Sequence, residues 1–275
     1  MAILGLLIQN KNGLPIFFSG WSDKIKTIKS LDTGLITGFF SALFSFTDSF
    51  NKKLSYIRFL ETSMDIYGID TICIEIDDYL FLCFVDSYQF HELVKYKIKW
   101  IYNIVLKRYT SQIEKGLTIK LTESEIKLIE NILKDNFQKF AVLSIKNYLN
   151  SAIDELISLG GDSQIYGISI NSFDNTILYS FGIEYSSLEL FLNNLGQKGS
   201  IIKDNEIQYC YISVPDFMPI LLVTINPVIK FPISDIIQEM ATGELPIYFN
   251  IIIDTSSNVD KTVKLVLRKL VPLFE

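Results

Sequence analysis

Any catalytic histidine would have to be His91, because the 275-residue chain has no other. Ser-His-Asp or Cys-His machinery would need to assemble around that one imidazole, at the start of a predicted helix. Neither GxSxG nor HExxH occurs to support it, and the expected role is that of a surface histidine. Cys73, Cys83 and Cys210 form no CxxC pair. Cys73 and Cys83 fall on the two strands of one predicted hairpin and could be neighbours, yet zinc would still lack its remaining ligands. They read as small core residues, and the odd count as free thiols in a reducing compartment. Asp77-Asp78 is a carboxylate pair at a predicted hairpin tip, where Asp serves the turn by local hydrogen bonding. Gly196-Gln197-Lys198-Gly199-Ser200 has the look of a phosphate loop, but it follows a helix instead of preceding one. No catalytic residue, cofactor or metal ligand is assigned.

The elements that position these residues begin with an apolar run over residues 3–9, a turn at Asn10-Lys11-Asn12-Gly13, and a returning strand over 14–19. Asp32 or Thr33 can cap a helix running to about Phe46. A strand is expected over 54–62, a hairpin from 71–76 and 80–85 around Asp77-Asp78-Tyr79, and a helix over about 89–109. The order is β-β-α-β-β-β-α. Residues 110–124 read as a linker, and 123–158 as a long helical stretch in which Ile126, Ile129, Leu133, Phe137, Phe140 and Leu143 recur at three- and four-residue steps. Gly160-Gly161 is its stop signal.

The opening hairpin is then written again. LGLLIQNKNGLPIFFSG (4–20) and YGISINSFDNTILYSFG (166–182) align without a gap, Gly5 over Gly167 and Gly20 over Gly182. An amphipathic helix over about 186–195 follows, then strands over 206–214 and 218–225 around Pro215-Asp216-Phe217, placed over Asp77-Asp78-Tyr79. After this the halves are expected to diverge, the second adding a short helix near 234–240, a strand over 246–254 and a helix over 259–270. The expected domains are 1–110 and 162–275, with 111–161 as linker and helical segment between them.

Composition narrows the partners. With 49% hydrophobic and 20% charged residues the chain has ample material for packed cores. A net charge of −6 and only three arginines, Arg58, Arg108 and Arg268, argue against nucleic acid and phosphate clamps. No apolar run approaches the roughly 20 residues of a membrane span, and the first ten residues lack the basic lead of a signal peptide. A cytoplasmic location is expected.

One predicted helix stands apart. Between Asp32 and Asp48 the sequence TGLITGFFSALFSFT carries no charge. It has two apolar faces, Leu35/Phe39/Ala42/Phe46 and Ile36/Phe40/Leu43, with small residues Gly34, Gly38, Ser41 and Ser45 between them. Leaving three such side chains in water forgoes several kcal/mol, at about 1.5–3 kcal/mol each. The expectation is cover on both sides, by the helix's own sheet and by other protein: the second half of the chain, a separate partner, or a homodimer. Phe39, Phe40, Leu43 and Phe44 are the candidate contact residues. A second candidate is the basic helix FHELVKYKIKWIYNIVLKRY, where Lys95 and Lys99 could meet an acidic partner or an anionic membrane surface, against the plainer reading of a solvated face.

The first strand, NKNGLPIFF, GLITGFFSALFSF and ICIEIDDYLFLCFVDS together resemble a longin domain of the longin/roadblock superfamily over residues 2–109. They are similar to longin-like proteins found in archaea and to domains shared by eukaryotic trafficking regulators. The second half looks like a diverged copy. The resemblance implies an α+β fold of two longin/roadblock-like units, each a five-stranded antiparallel sheet between helices. It also implies non-enzymatic work as an interaction platform: binding or regulating a small GTPase or membrane-trafficking partner, or pairing with another longin or roadblock protein. The competing expectations are a structural subunit of a larger complex and, more distantly, an enzyme with a pocket between its halves.

Overall fold

A computed structural model describes residues 3–25, 32–59, 69–86, 91–159, 164–172, 174–195, 205–213, 218–227, 229 and 247–274. The fold is α+β. The chain divides into two compact units, Met1–Lys134 and Asp135–Glu275, each carrying a five-stranded antiparallel sheet.

In the first unit β1 (Ile3–Asn10) and β2 (Pro15–Gly20) turn at Gly13, whose φ of 81° suits glycine. There follow α1 (Thr33–Asp48), β3 (Tyr56–Phe59), β4 (Ile69–Ile76), β5 (Tyr79–Asp86) and α2 (His91–Ile101), with strand order β2-β1-β5-β4-β3. Alternation along the strands serves two layers. Leu6, Ile8, Phe81 and Cys83 meet Val94 and Ile98 of α2 and Ile129 and Leu133 of α4 (Glu123–Leu133). Leu4, Leu7, Leu82 and Phe84 meet α1 on the other face. The helix expected through residue 109 is α-helical only to Ile101. A π-helical turn over Tyr102–Leu106 and a 3-10 turn over Lys107–Tyr109 complete it. The π turn is held from the sheet: the buried hydroxyl of Tyr79 donates to the Leu106 carbonyl at 2.8 Å, and that of Tyr102 to the Asp77 carboxylate.

The stretch expected as one helix over 123–158 is three: α4, α5 (Asn136–Ser144) and α6 (Lys146–Ser158), after the short α3 (Thr110–Glu114). Asp135 breaks it with a left-handed φ of 52°, a conformation its short polar side chain tolerates. The break resets the inward face, so Gln138 and Val142 of α5 are buried while Phe140 stands 78% exposed. Ile129 and Leu133 of α4 join the first core, and Leu149, Ile153 and Leu156 of α6 join the second.

The second unit continues with β6 (Ile165–Ser172), β7 (Ile177–Phe181), α7 (Tyr185–Leu195), β8 (Ile207–Ile212), β9 (Ile220–Ile225), β10 (Ile247–Asp254) and α8 (Val259–Leu270). Its strand order, β7-β6-β10-β9-β8, is that of the first sheet strand for strand. The expected divergence after the later hairpin is thereby corrected. β8 and β9 hold the places of β3 and β4, not of β4 and β5, and β10, expected as an addition, is the fifth strand, paired between β6 and β9 as β5 is between β1 and β4. A two-residue turn joins β4 to β5, whereas the chain from Ile225 to Ile247 joins their counterparts, so matching hairpins by spacing paired the wrong ones. The expected helix near 234–240, the stop at Gly160-Gly161 and the turn at 215–217 lie outside the described residues.

The repeated hairpin keeps its details. Each copy shifts register at the same place, between Ile8 and Gln9 and between Ile170 and Asn171. A Cβ on Gly5 would lie 2.9 Å from the Ser19 carbonyl oxygen, and one on Gly167 2.8 Å from that of Phe181. The aligned glycines thus permit the same backbone approach. The sheet faces differ in chemistry. The row Phe18–Leu7–Leu82–Cys73 beneath α1 is apolar, whereas its counterpart runs Ser180–Ser169–Asn250–Thr224–Gln208.

Candidate interaction surface

α1 is the element expected to meet other protein. Asp32 caps it, its carboxylate accepting from the Gly34 N–H at 2.6 Å. Ile36 and Phe40 are buried against Leu4, Leu7, Ile25, Cys73, Leu82 and Phe84, with Leu43 and Phe44 half-buried at the margin. Beneath the helix the Gln9 side-chain amide donates to the Ser41 hydroxyl at 2.9 Å. The β1–β2 turn comes so close that a Cβ on Gly13 would lie 2.7 Å from the Ser41 hydroxyl oxygen.

The outward face is different. Leu35 is 70% exposed, Phe39 51%, Phe46 61%, and Phe50, just past the helix end, 61%. Phe46 and Phe50 meet edge to face at 5.0 Å between ring centroids. Beside this ridge the small residues Gly34, Gly38 and Ser45 are exposed, and a Cβ on Gly38 would meet nothing within 4 Å among the described residues. The ridge belongs to the Leu35/Phe39/Ala42/Phe46 face marked by spacing, and Gly34, Gly38 and Ser45 to the stripe of small residues. The sheet covers the Ile36/Phe40 face; nothing among the described residues of the first unit covers the Leu35/Phe39 face.

The six candidate contact residues separate. Phe39 is on the free face, Phe40 is core, and Leu43 and Phe44 sit at the boundary. Lys95 and Lys99 belong to α2, whose Val94 and Ile98 pack on the opposite side of the sheet, so they share no patch with Phe39. The basic helix is not one solvated face either. Lys97 is fully buried, Lys95 is half-buried, and Lys99 is exposed with its ammonium 5.6 Å from the Tyr96 ring centroid. Arg108 is paired with the carboxylate of Glu125, which also takes the Tyr109 hydroxyl at 2.9 Å.

His91 is the residue whose surroundings sequence reasoning missed. It is not a surface histidine: its side chain is 14% exposed, and Nε2 lies 3.2 Å from Oδ2 of the fully buried Asp70. Arg58 grips the same carboxylate in bidentate fashion at 2.6 and 2.8 Å, tying edge strand β3 to β4. These residues stand 12 and 21 positions from Asp70, and no local spacing announces them. Cys73 and Cys83 point to opposite faces of the sheet and cannot share a ligand, and burial pushes the Cys73 thiol up to about 12. Asp77 stands in the β4–β5 turn as expected, with a left-handed φ of 51°, and its carboxylate accepts from the distant Tyr102 hydroxyl. Gly196–Ser200 lies outside the described residues.

Neither a protein-family model nor a curated protein matches this chain. Among the described residues no helix is long and apolar enough to cross a membrane.

Proposed function

We propose that the chain is a non-enzymatic interaction platform made of two longin/roadblock-like units, which binds or regulates a small GTPase or a membrane-trafficking-type partner in the cytoplasm. The observation that carries this reading is the outward face of α1, where Leu35, Phe39, Phe46 and Phe50 lie in water without a charged side chain from Thr33 to Thr47. Contiguous exposed apolar surface of that kind marks a site of protein contact. The sheet order β2-β1-β5-β4-β3 with α1 on one face and α2 on the other, present twice in strand order, accords with the resemblance drawn from the opening hairpin. The test is capture of the host's purified small GTPases, loaded with GDP or a non-hydrolysable GTP analogue, together with nucleotide-exchange rates. Binding to one nucleotide state that Phe39→Asp abolishes is expected; no capture and no change of exchange rate across the set defeats the reading.

A second reading, a structural subunit assembled through sheet edges, has its own observation. β8 is an edge strand of six uncharged residues, IQYCYI, in unbroken register with β9, and Tyr209 and Tyr211 are largely exposed. Edge strands usually carry charge, proline or a bulge that discourages pairing, and this one has none of them.

A further inference from the structure

We infer that the second unit binds a divalent cation, Ca²⁺ in preference to Mg²⁺, between the residue that opens α5 and the β6–β7 turn. Its protein ligands are the carboxylates of Asp135 and Asp174 and the hydroxyls of Ser172 and Thr176. The site goes beyond the interaction-platform reading and does not depend on it. All four side chains are buried, Asp135 and Asp174 at 0% exposure, Ser172 at 1% and Thr176 at 3%. The Ser172 hydroxyl stands 3.2 Å from Oδ2 of Asp135 and is also hydrogen-bonded to Oδ1 of Asp174. A hydroxyl has one proton to donate, and here two carboxylates draw on it. The Ser172 N–H donates to the Thr176 carbonyl at 2.8 Å, so the two residues stand opposite each other and their side chains leave the same side of the hairpin. The Thr176 hydroxyl is thereby aimed at the cluster, and it has no hydrogen-bond partner among the described residues. Burying a hydroxyl that bonds to nothing is unfavourable, and a cation held by its oxygen removes that cost.

The usual work of these residues does not account for them. An aspartate before a helix normally caps it, yet the Asp135 side chain makes no cap hydrogen bond to α5 and turns to Ser172 instead. For the turn, the first unit supplies a control. In the gapless alignment Asn10, Asn12 and Leu14 hold the places of Ser172, Asp174 and Thr176. Both turns carry the same two backbone bonds, Asn10 N–H to Leu14 and Gly13 N–H to Asn10 in one, Ser172 N–H to Thr176 and Asn175 N–H to Ser172 in the other. The first copy closes this geometry without an acid, its Asn10 side-chain oxygen accepting from the Leu14 N–H at 2.8 Å. The turn itself therefore needs neither the carboxylate of Asp174 nor the hydroxyl of Thr176. The donor set then selects the ion. All four ligands are hard oxygens, two of them acidic, which suits Ca²⁺ or Mg²⁺ better than zinc. Ca²⁺ accepts the irregular arrangement that a helix start and a hairpin turn offer, whereas Mg²⁺ demands a near-ideal octahedron. The cation also offsets the repulsion of two carboxylates whose oxygens one hydroxyl holds within about 6 Å of each other.

The experiment is calorimetric titration of the full, chelator-stripped chain with CaCl₂ and separately with MgCl₂, with thermal unfolding alongside. It compares the wild type with Asp135→Asn, Asp174→Asn and Thr176→Val. The wild type should take one Ca²⁺ per chain with a dissociation constant on the order of 0.1 mM, and Mg²⁺ more weakly. Its melting temperature should climb with Ca²⁺ concentration, as for any ligand held only by the folded state. Each Asn variant should weaken Ca²⁺ binding about 10-fold or more. Thr176→Val should weaken it less and leave the metal-free chain as stable as the wild type, since the lost hydroxyl had no partner. That variant decides the matter if an Asn variant fails to fold. No heat and no rise in melting temperature at about 10 mM Ca²⁺ overturns the inference. Ca²⁺ binding that Asp174→Asn and Thr176→Val leave unchanged overturns it as well, because such binding belongs to surface carboxylates. Tighter binding of Mg²⁺ than of Ca²⁺ overturns the choice of ion. A wild type that binds neither cation, while an Asn variant melts higher, assigns the carboxylate pair a shared proton in the cation's place.

Discussion

Asp70 is fully buried and ionic, and its neighbours decide what that costs. Arg58 supplies two charge-assisted hydrogen bonds and His91 stands at 3.2 Å. The two ends of such a pair are not equivalent under substitution. Arg58→Met leaves a carboxylate in the interior without its bidentate donor, and about 3 kcal/mol of stability should be lost. Asp70→Asn keeps the shape and an acceptor oxygen while removing the buried charge, so its cost should be smaller. Urea unfolding of the two single variants checks the order, and a larger loss for Asp70→Asn contradicts it. The sequence shows an arginine in a short strand, an aspartate opening the next and a histidine starting a helix. Their convergence needs the β3–β4 register that sets Arg58 opposite Asp70, and register is a property of the folded sheet. The same limit explains Lys97. A lysine among lysines reads as solvated, yet Lys95 and Lys99 are one turn apart and Lys97 lies on the side of α2 that meets the sheet.

At the scale of elements, three glycines make a graded prediction. Gly5→Ala and Gly167→Ala each force a Cβ to within 3 Å of a backbone carbonyl oxygen, and backbone cannot step aside as a side chain can. Each should cost about 1–3 kcal/mol, the range for overpacking. Gly38→Ala enters open space in a helix and should add up to about 1 kcal/mol. Denaturant midpoints for the three variants decide it; equal losses at all three positions would contradict the account. The two hairpin glycines were visible in the repeat, because an aligned pair with polar turns between them points to one backbone geometry used twice. Helix α1 was equally legible, since its two apolar faces are a matter of spacing alone. The breaks in residues 123–158 were not: Asp135 and Asn136 interrupt the stretch as polar positions, but only the separate demands of two cores on Leu133 and Leu149 make Asp135 a stop. The polar row Ser180–Ser169–Asn250–Thr224–Gln208 likewise assembles from five strands, none of which looks unusual by itself.

For the whole molecule, the division between Lys134 and Asp135 leaves each unit with its own sheet and its own buried cluster. Fragments 1–134 and 135–275 are therefore expected to fold separately, each with a single cooperative urea transition. Because the slope of such a transition scales with the surface exposed, each should show about half the value expected for the intact chain unfolding as one. A fragment without a cooperative transition refutes that independence. The placement of the fifth strand imposes much the same wait on both units during synthesis. β1 ends at Asn10, and its inner neighbour β5 begins only at Tyr79. β6 ends at Ser172, and its neighbour begins only at Ile247. At about 5–20 residues per second the ribosome takes roughly 4–15 s to cross that interval. Throughout it the strand IYGISINS stands beside a vacant place in its sheet, open to any extended segment that reaches it first. A message truncated before codon 247 would yield a second half with no means of closing its sheet.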